Sequence, residues 1–267
     1  MPLQRTARAG LLGLLLLWPP ALGSQDPPQS PTPTTAAEAL ADYSGLLARY
    51  VSGGQVDYAR WKADDPPEWR RFLEWLESTS PQGQSANAQR AYWINAYNAR
   101  VIAGVLKRYP LDSVRDVGYV GGRVKGFFRL REHPVAGRRR TLDQIEREIL
   151  LKAPLWDERI HWALTCASRS CPRLREEPYV DDRLDMQLDF QARTYLNSPL
   201  GSRLDPEARV LHLSRIFEWY ADDFRRAAGS VRDYAARYLA GAGAEAARDT
   251  AFTIKYLDYD WALNDAR

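Results

Sequence analysis

Apolar side chains recur every three or four positions along the first part of the chain, and each such run predicts a helix with one buried face. Residues 36–50 put Leu40, Tyr43, Leu46 and Leu47 on one side, and Ser52-Gly53-Gly54 ends the run. Trp69, Phe72, Leu73, Trp75 and Leu76 make a second amphipathic helix, stopped near Ser80-Pro81. Residues 86–109 read as the longest helix, closed by Pro110, and their apolar positions cover so much of the circumference that a central buried helix is expected.

Beyond it the signals are shorter. Residues 56–61 look strand-like, and alternation over 124–135 with Gly121-Gly122 suggests a hairpin or two short strands, with Gly137 and Arg138 to Arg140 as an exposed turn. Thr141 reads as an N-cap before a helix over 142–151. Residues 159–166 suit a buried strand followed by a polar turn to Cys171. A helix over 182–196, a strand over 210–213, a helix opened by Ser214 and a strand-like 252–259 complete the pattern. Helices outnumber strands and do not alternate with them regularly. The fold class expected is α+β, a helix-rich single domain with a central buried helix and a small mixed or antiparallel sheet.

Composition changes this picture little: of 267 residues 45% are hydrophobic and 27% charged, as in soluble globular domains. The N-terminus changes it more. Arg5 and Arg8 precede an apolar run from Leu11 to Trp18, and Ala21-Leu22-Gly23 offers small residues for cleavage, so residues 1–23 read as a signal peptide. The run is roughly half of the about 20 residues needed to span a bilayer. Residues 24–35, rich in Pro, Ser and Thr, read as a flexible linker, and 36–267 as the globular domain. A secreted or periplasmic protein is expected, with no transmembrane segment after cleavage. Removing Arg5 and Arg8 leaves 35 basic against 34 acidic residues, a balance that argues against nucleic acid as partner.

Both cysteines and one of three histidines fall between His161 and Pro172. In an oxidising compartment Cys166 and Cys171 can pair, and a bridge closing so short a loop contributes only about 2 kcal/mol. Alternatively Cys171 is a nucleophile, its thiolate favoured if Pro172 opens a helix, with Ser168 and Ser170 as hydrogen-bonding neighbours. His161 is the nearest imidazole in sequence. A regular strand, however, puts it about 16 Å from Cys166, and a regular helix about 15 Å from Cys171. His212, on a strand before Ser214, is therefore a second candidate base.

Asn95 and Asn98 share one face of the long helix, either as a polar network that joins it to a loop or as amides lining a pocket. Glu146 poses the same question as a surface ion pair or a catalytic acid. His133, His161 and His212 are too scattered for a metal site, and no phosphate-cradling glycine motif is present, so neither metal nor cofactor is expected. The aromatics Phe217, Trp219, Tyr220, Tyr256, Tyr259 and Trp261 belong either to the core or to a groove for a glycan or peptide.

Four words resemble the uncharacterised domain family DUF547: Ala91-Tyr92-Trp93-Ile94-Asn95-Ala96-Tyr97-Asn98-Ala99, the span 161–174 with Cys-Ala-Ser-Arg-Ser-Cys-Pro, the stretch 213–220 with Asp223-Phe224, and Tyr259-Asp260-Trp261-Ala262-Leu263-Asn264. The helix carrying Ile145-Glu146 is similar as well. The resemblance implies a fold neighbourhood and little biochemistry. It implies that His161, Cys171, Asn95, Asn98 and Glu146 lie within recurring words, whereas His212 lies outside them. Two functions are thus expected to compete: a thiol-dependent hydrolase or acyl transferase using Cys171, and a cell-envelope binding or interaction module with a Cys166–Cys171 disulfide. Either would engage a small-molecule, peptide or glycan ligand.

Overall fold

The computed structural model describes residues 34–117 and 126–266. The expected signal peptide, most of the expected linker, Gly121-Gly122 and the start of the expected hairpin lie outside the described residues. Helix α1, Ala36–Tyr50, opens with a reciprocal capping box between Thr35 and Glu38. The short antiparallel strands β1, Val51–Ser52, and β2, Gln55–Val56, follow. Where a strand is expected over 56–61 the chain instead enters helix α2, Tyr58–Asp64, because the Asp57 side chain accepts the Arg60 amide and caps it. Helix α3, Pro67–Ser78, starts with Pro67 at its first position. Helix α4, Ala86–Leu106, is capped by Ser85 and buried along most of its length, so the expected central helix is present.

The short helix α5, Gly126–Arg129, precedes the hairpin of β3, Glu132–Val135, and β4, Arg138–Thr141. Arg138 to Arg140 therefore lie in a strand, and the turn is Ala136-Gly137, both at positive φ. Thr141 caps helix α6, Leu142–Gln144, which widens into a π turn over Ile145–Leu150. Residues 159–166 are not a strand. Asp157 accepts the Arg159 amide and opens a 3₁₀ turn, Glu158–Trp162, while the Arg159 guanidinium pairs with Asp157, Asp185 and Asp189. A continuous buried run such as Ile160-His161-Trp162 satisfies either geometry, and the ion pairs decide for the turn.

Helix α7, Leu184–Leu196, leads to a three-stranded mixed sheet. In it β5, Ser202–Asp205, runs antiparallel to β6, Val210–Leu213, and β7, Thr253–Tyr256, parallel to β6. Helices α8, Ile216–Trp219, α9, Ala221–Ala228, α10, Val231–Tyr238, and α11, Gly241–Arg248, fill the connection between β6 and β7. The architecture is helix-rich α+β.

Two apolar clusters hold it together. The larger surrounds α4 and includes Tyr43 stacked on Phe72 at 4.2 Å between ring centres. The smaller is centred on Trp162, whose indole Nε1 donates to Tyr234 Oη at 2.9 Å while its ring stacks on Phe224. The chain end straps both sides of the region between them. Val56 N donates to Asn264 O, and Ala266 N to Val56 O, beside β2. Arg169 N donates to Ala262 O, Ser170 N to Asp260 O, and Asn264 N to Ala167 O. The tail thereby fixes the turn that carries both cysteines.

Candidate functional site

The turn is set from below as well. Asn98 Nδ2 donates to Ala163 O at 3.0 Å and its Oδ1 accepts Thr165 N at 2.9 Å, clamping the residues that lead into Cys166. Asn95 clamps Tyr179 in the same way, at 2.8 and 2.9 Å. Both amides are buried and committed to backbone, and neither lines the cleft described below. Ala167 follows at φ 57°, a left-handed conformation that costs a residue with a Cβ about 1 kcal/mol or more. The tail strap and the Asn98 clamp hold it there.

The cleft has a volume of about 390 Å³. Its lining includes Glu146, His161, Cys166 and Cys171 and, from later in the chain, Trp219, Tyr220, Tyr259 and Trp261. His161 sits in it under Tyr220, with ring centres 4.0 Å apart, and its Nε2 meets Asp223 Oδ2 at 2.9 Å. Trp156 Nε1 donates to the other oxygen of Asp223. The His161 hydrogen bond, opposed by burial and aided by Trp156, holds the Asp223 carboxyl below its ordinary value. Glu146 Oε1 accepts from Tyr220 Oη at 2.5 Å. Burial first, then the Glu146 charge, pushes the Tyr220 phenol well up, so it stays a donor.

The two sulfurs differ. Cys171 is buried, and its Sγ accepts the Cys166 amide at 2.8 Å and donates to Leu164 O at 3.7 Å. Burial, then the neighbouring Cys166, pushes its thiol well above the ordinary value. Cys166 is half-buried, with Ser168 Oγ at 3.0 Å and Tyr259 Oη at 3.3 Å from its sulfur. Burial pushes this thiol up, but hydrogen bonding from Cys171, Ser168 and Tyr259 together outweighs it and brings the value down to about 7. Tyr259 itself is pushed well up by burial and then by the cysteine charges, which keeps its proton available to Cys166.

Several expectations change on this geometry. The expected disulfide is not formed, and both cysteines are free. No helix starts at Pro172, so no helix dipole acts on Cys171. His212 is absent from the cleft. Leu211 and Leu213 point into the core, so strand alternation turns His212 away, toward a separate pocket shared with Ser170 and Arg203. Ser170 accepts the Asp260 amide and holds the tail. Of the aromatics, Phe217 belongs to the core and Tyr256 to the His212 pocket, while Trp219, Tyr220, Tyr259 and Trp261 line the cleft. Sequence reasoning gave Asp223 no role of its own and named Tyr259 only among the aromatics of the core or a groove, not as a partner of Cys166. The signal for Asp223 was present only as membership of the word containing Asp223-Phe224.

Among the described residues no three His, Cys, Asp or Glu side chains are grouped to hold a metal ion. No helix among them is long and apolar enough to cross a membrane. Residues 81–196 match the family model described as a protein of unknown function, DUF547. No curated protein and no solved structure matches the chain.

Proposed function

We propose that the cleft, part of it built by residues 81–196 that match the DUF547 family model, performs thiol-dependent acyl transfer, as a hydrolase or acyl transferase, with Cys166 rather than Cys171 as the nucleophile. The observation that carries this reading is Cys166, half-buried in the cleft lining, with a sulfur hydrogen-bonded to two hydroxyls that favour its thiolate. The thiolate adds to an acyl carbon, the carbonyl electrons move to oxygen, and their return expels the leaving group and leaves a thioester on Cys166. His161 has one nitrogen engaged by Asp223. Its other nitrogen takes the Cys166 thiol proton and passes it to the leaving group, then takes one from the water or acceptor that releases the acyl group and returns it to the freed Cys166 sulfur. Asn98 is a positioning residue, since it holds the backbone before Cys166. The leader-like pattern of residues 1–23 supports export, so we place this activity outside the cytoplasm.

The test is a nitrophenyl ester assay followed by intact mass. The reading expects a burst of nitrophenol and an acyl adduct on Cys166, both lost in Cys166→Ala and kept in Cys171→Ala. Turnover that survives Cys166→Ala would overturn it.

A further inference from the structure

Away from the cleft, the C-terminal end of α4 and the β3–β4 hairpin enclose a groove of about 510 Å³, lined by Lys107, Arg108, Arg131, His133 and Arg139 among others. Glu132 is the one carboxylate in its lining, and it is spent on Arg139 at 3.4 Å. Arg108 Nη1 donates to Gly104 O, and its guanidinium lies over the Phe127 ring. The side chains of Lys107 and Arg131 have neither hydrogen bond nor ion pair among the described residues. Four cations against one carboxylate leave three positive charges facing one concavity.

Such crowding opposes folding, because like charges gathered in a recess repel. Its imprint is visible on His133. Burial first, then the charges of Arg100, Arg108, Arg139 and Arg131, push that imidazole down to about 4 and keep it neutral. Arg108 is likewise lowered, by burial and by Arg131. An anion in the groove would remove the repulsion.

The geometry points to this groove as a binding site for a compact phosphate-bearing anion, either a free phosphate ester or the headgroup of a lipid. Guanidinium forks match two phosphate oxygens at once, and a lysine adds a point charge beside them. A single carboxylate would leave most of the field uncompensated, whereas a phosphate ester or diphosphate brings two or three charges. Leu130, at 60% exposure on the rim, offers an apolar surface to the rest of such a molecule. The site is independent of the thiol chemistry.

The test compares the intact protein with a Lys107→Glu, Arg131→Glu double variant. Both side chains are exposed and unbonded, so the variant is expected to fold, which circular dichroism checks. Inorganic pyrophosphate is titrated by calorimetry, and cosedimentation is measured with phosphatidylglycerol vesicles against phosphatidylcholine vesicles. Binding of either probe, weakened at least about tenfold in the variant, supports the site. Pyrophosphate binding assigns a free phosphate, and binding to phosphatidylglycerol vesicles alone assigns the headgroup. Binding of neither probe, or equal binding by the folded variant, overturns it.

Discussion

The two stretches of chain that build the cleft differ in kind. Glu146, His161 and Cys166 come from residues 81–196, the segment that matches the family model. A later stretch of chain, residues 216–261, gives each of those groups one hydrogen-bond partner: Tyr220 for Glu146, Asp223 for His161 and Tyr259 for Cys166. One stretch carries groups that can react, and the other supplies their hydrogen-bond partners and, at Cys166, favours the charged form. A reactive residue type is thus only half of a site. The half that fixes its charge state comes from an element far along the chain.

The largest effect separates the two cysteines. Cys166→Ala is expected to lower acyl transfer by at least about a thousandfold, and Cys171→Ala by far less, as measured by ester turnover. Equal losses would erase the distinction between an ionised and a buried sulfur.

Next is the histidine partner. Asp223→Asn keeps the shape but removes the charge that orients the imidazole, so a loss of about a hundredfold in kcat is expected with little change in KM. The same carboxyl sits below its ordinary value in the folded protein, which fixes the sign of a pH effect. Its stabilisation is present above the ordinary carboxylate range and lost as pH falls through the folded value. Thermal melts of Asp223→Asn should therefore show a flatter acid limb than those of the parent.

A smaller change is expected from Tyr220→Phe. It removes the donor to Glu146 but leaves the ring over His161, and a few-fold loss of turnover is the expected outcome. A loss as large as that of Asp223→Asn would make Glu146 the more important partner.

The amphipathic runs of α1, α3, α4 and α7 were legible because their buried faces follow helical spacing, and α1 and α4 also start at capping side chains, Thr35 and Ser85. The segment Ile160-His161-Trp162 was not, because an all-buried run has no period to read and Arg159 fixes its turn through carboxylates up to thirty residues away. The cleft was half legible. Proximity in sequence gathered His161, Cys166 and Cys171, but which sulfur ionises depends on Tyr259, 93 residues from Cys166. His212 was a sound expectation from chain order, and the alternation of β6 places it elsewhere.

The central claim is that Tyr259, from late in the chain, tunes the Cys166 thiol, and the pH dependence of Cys166 alkylation tests it most directly. Iodoacetamide labelling, followed residue by residue by mass spectrometry, should give Cys166 a midpoint at about 7 and leave Cys171 slow throughout. The folded value lies below the ordinary thiol value, so reactivity rises with pH through that midpoint. In Tyr259→Phe the thiolate loses one donor, and the midpoint should rise by about one unit. A midpoint for Cys166 at the ordinary thiol value of about 8.5, unchanged in Tyr259→Phe, or faster labelling of Cys171, would contradict the account.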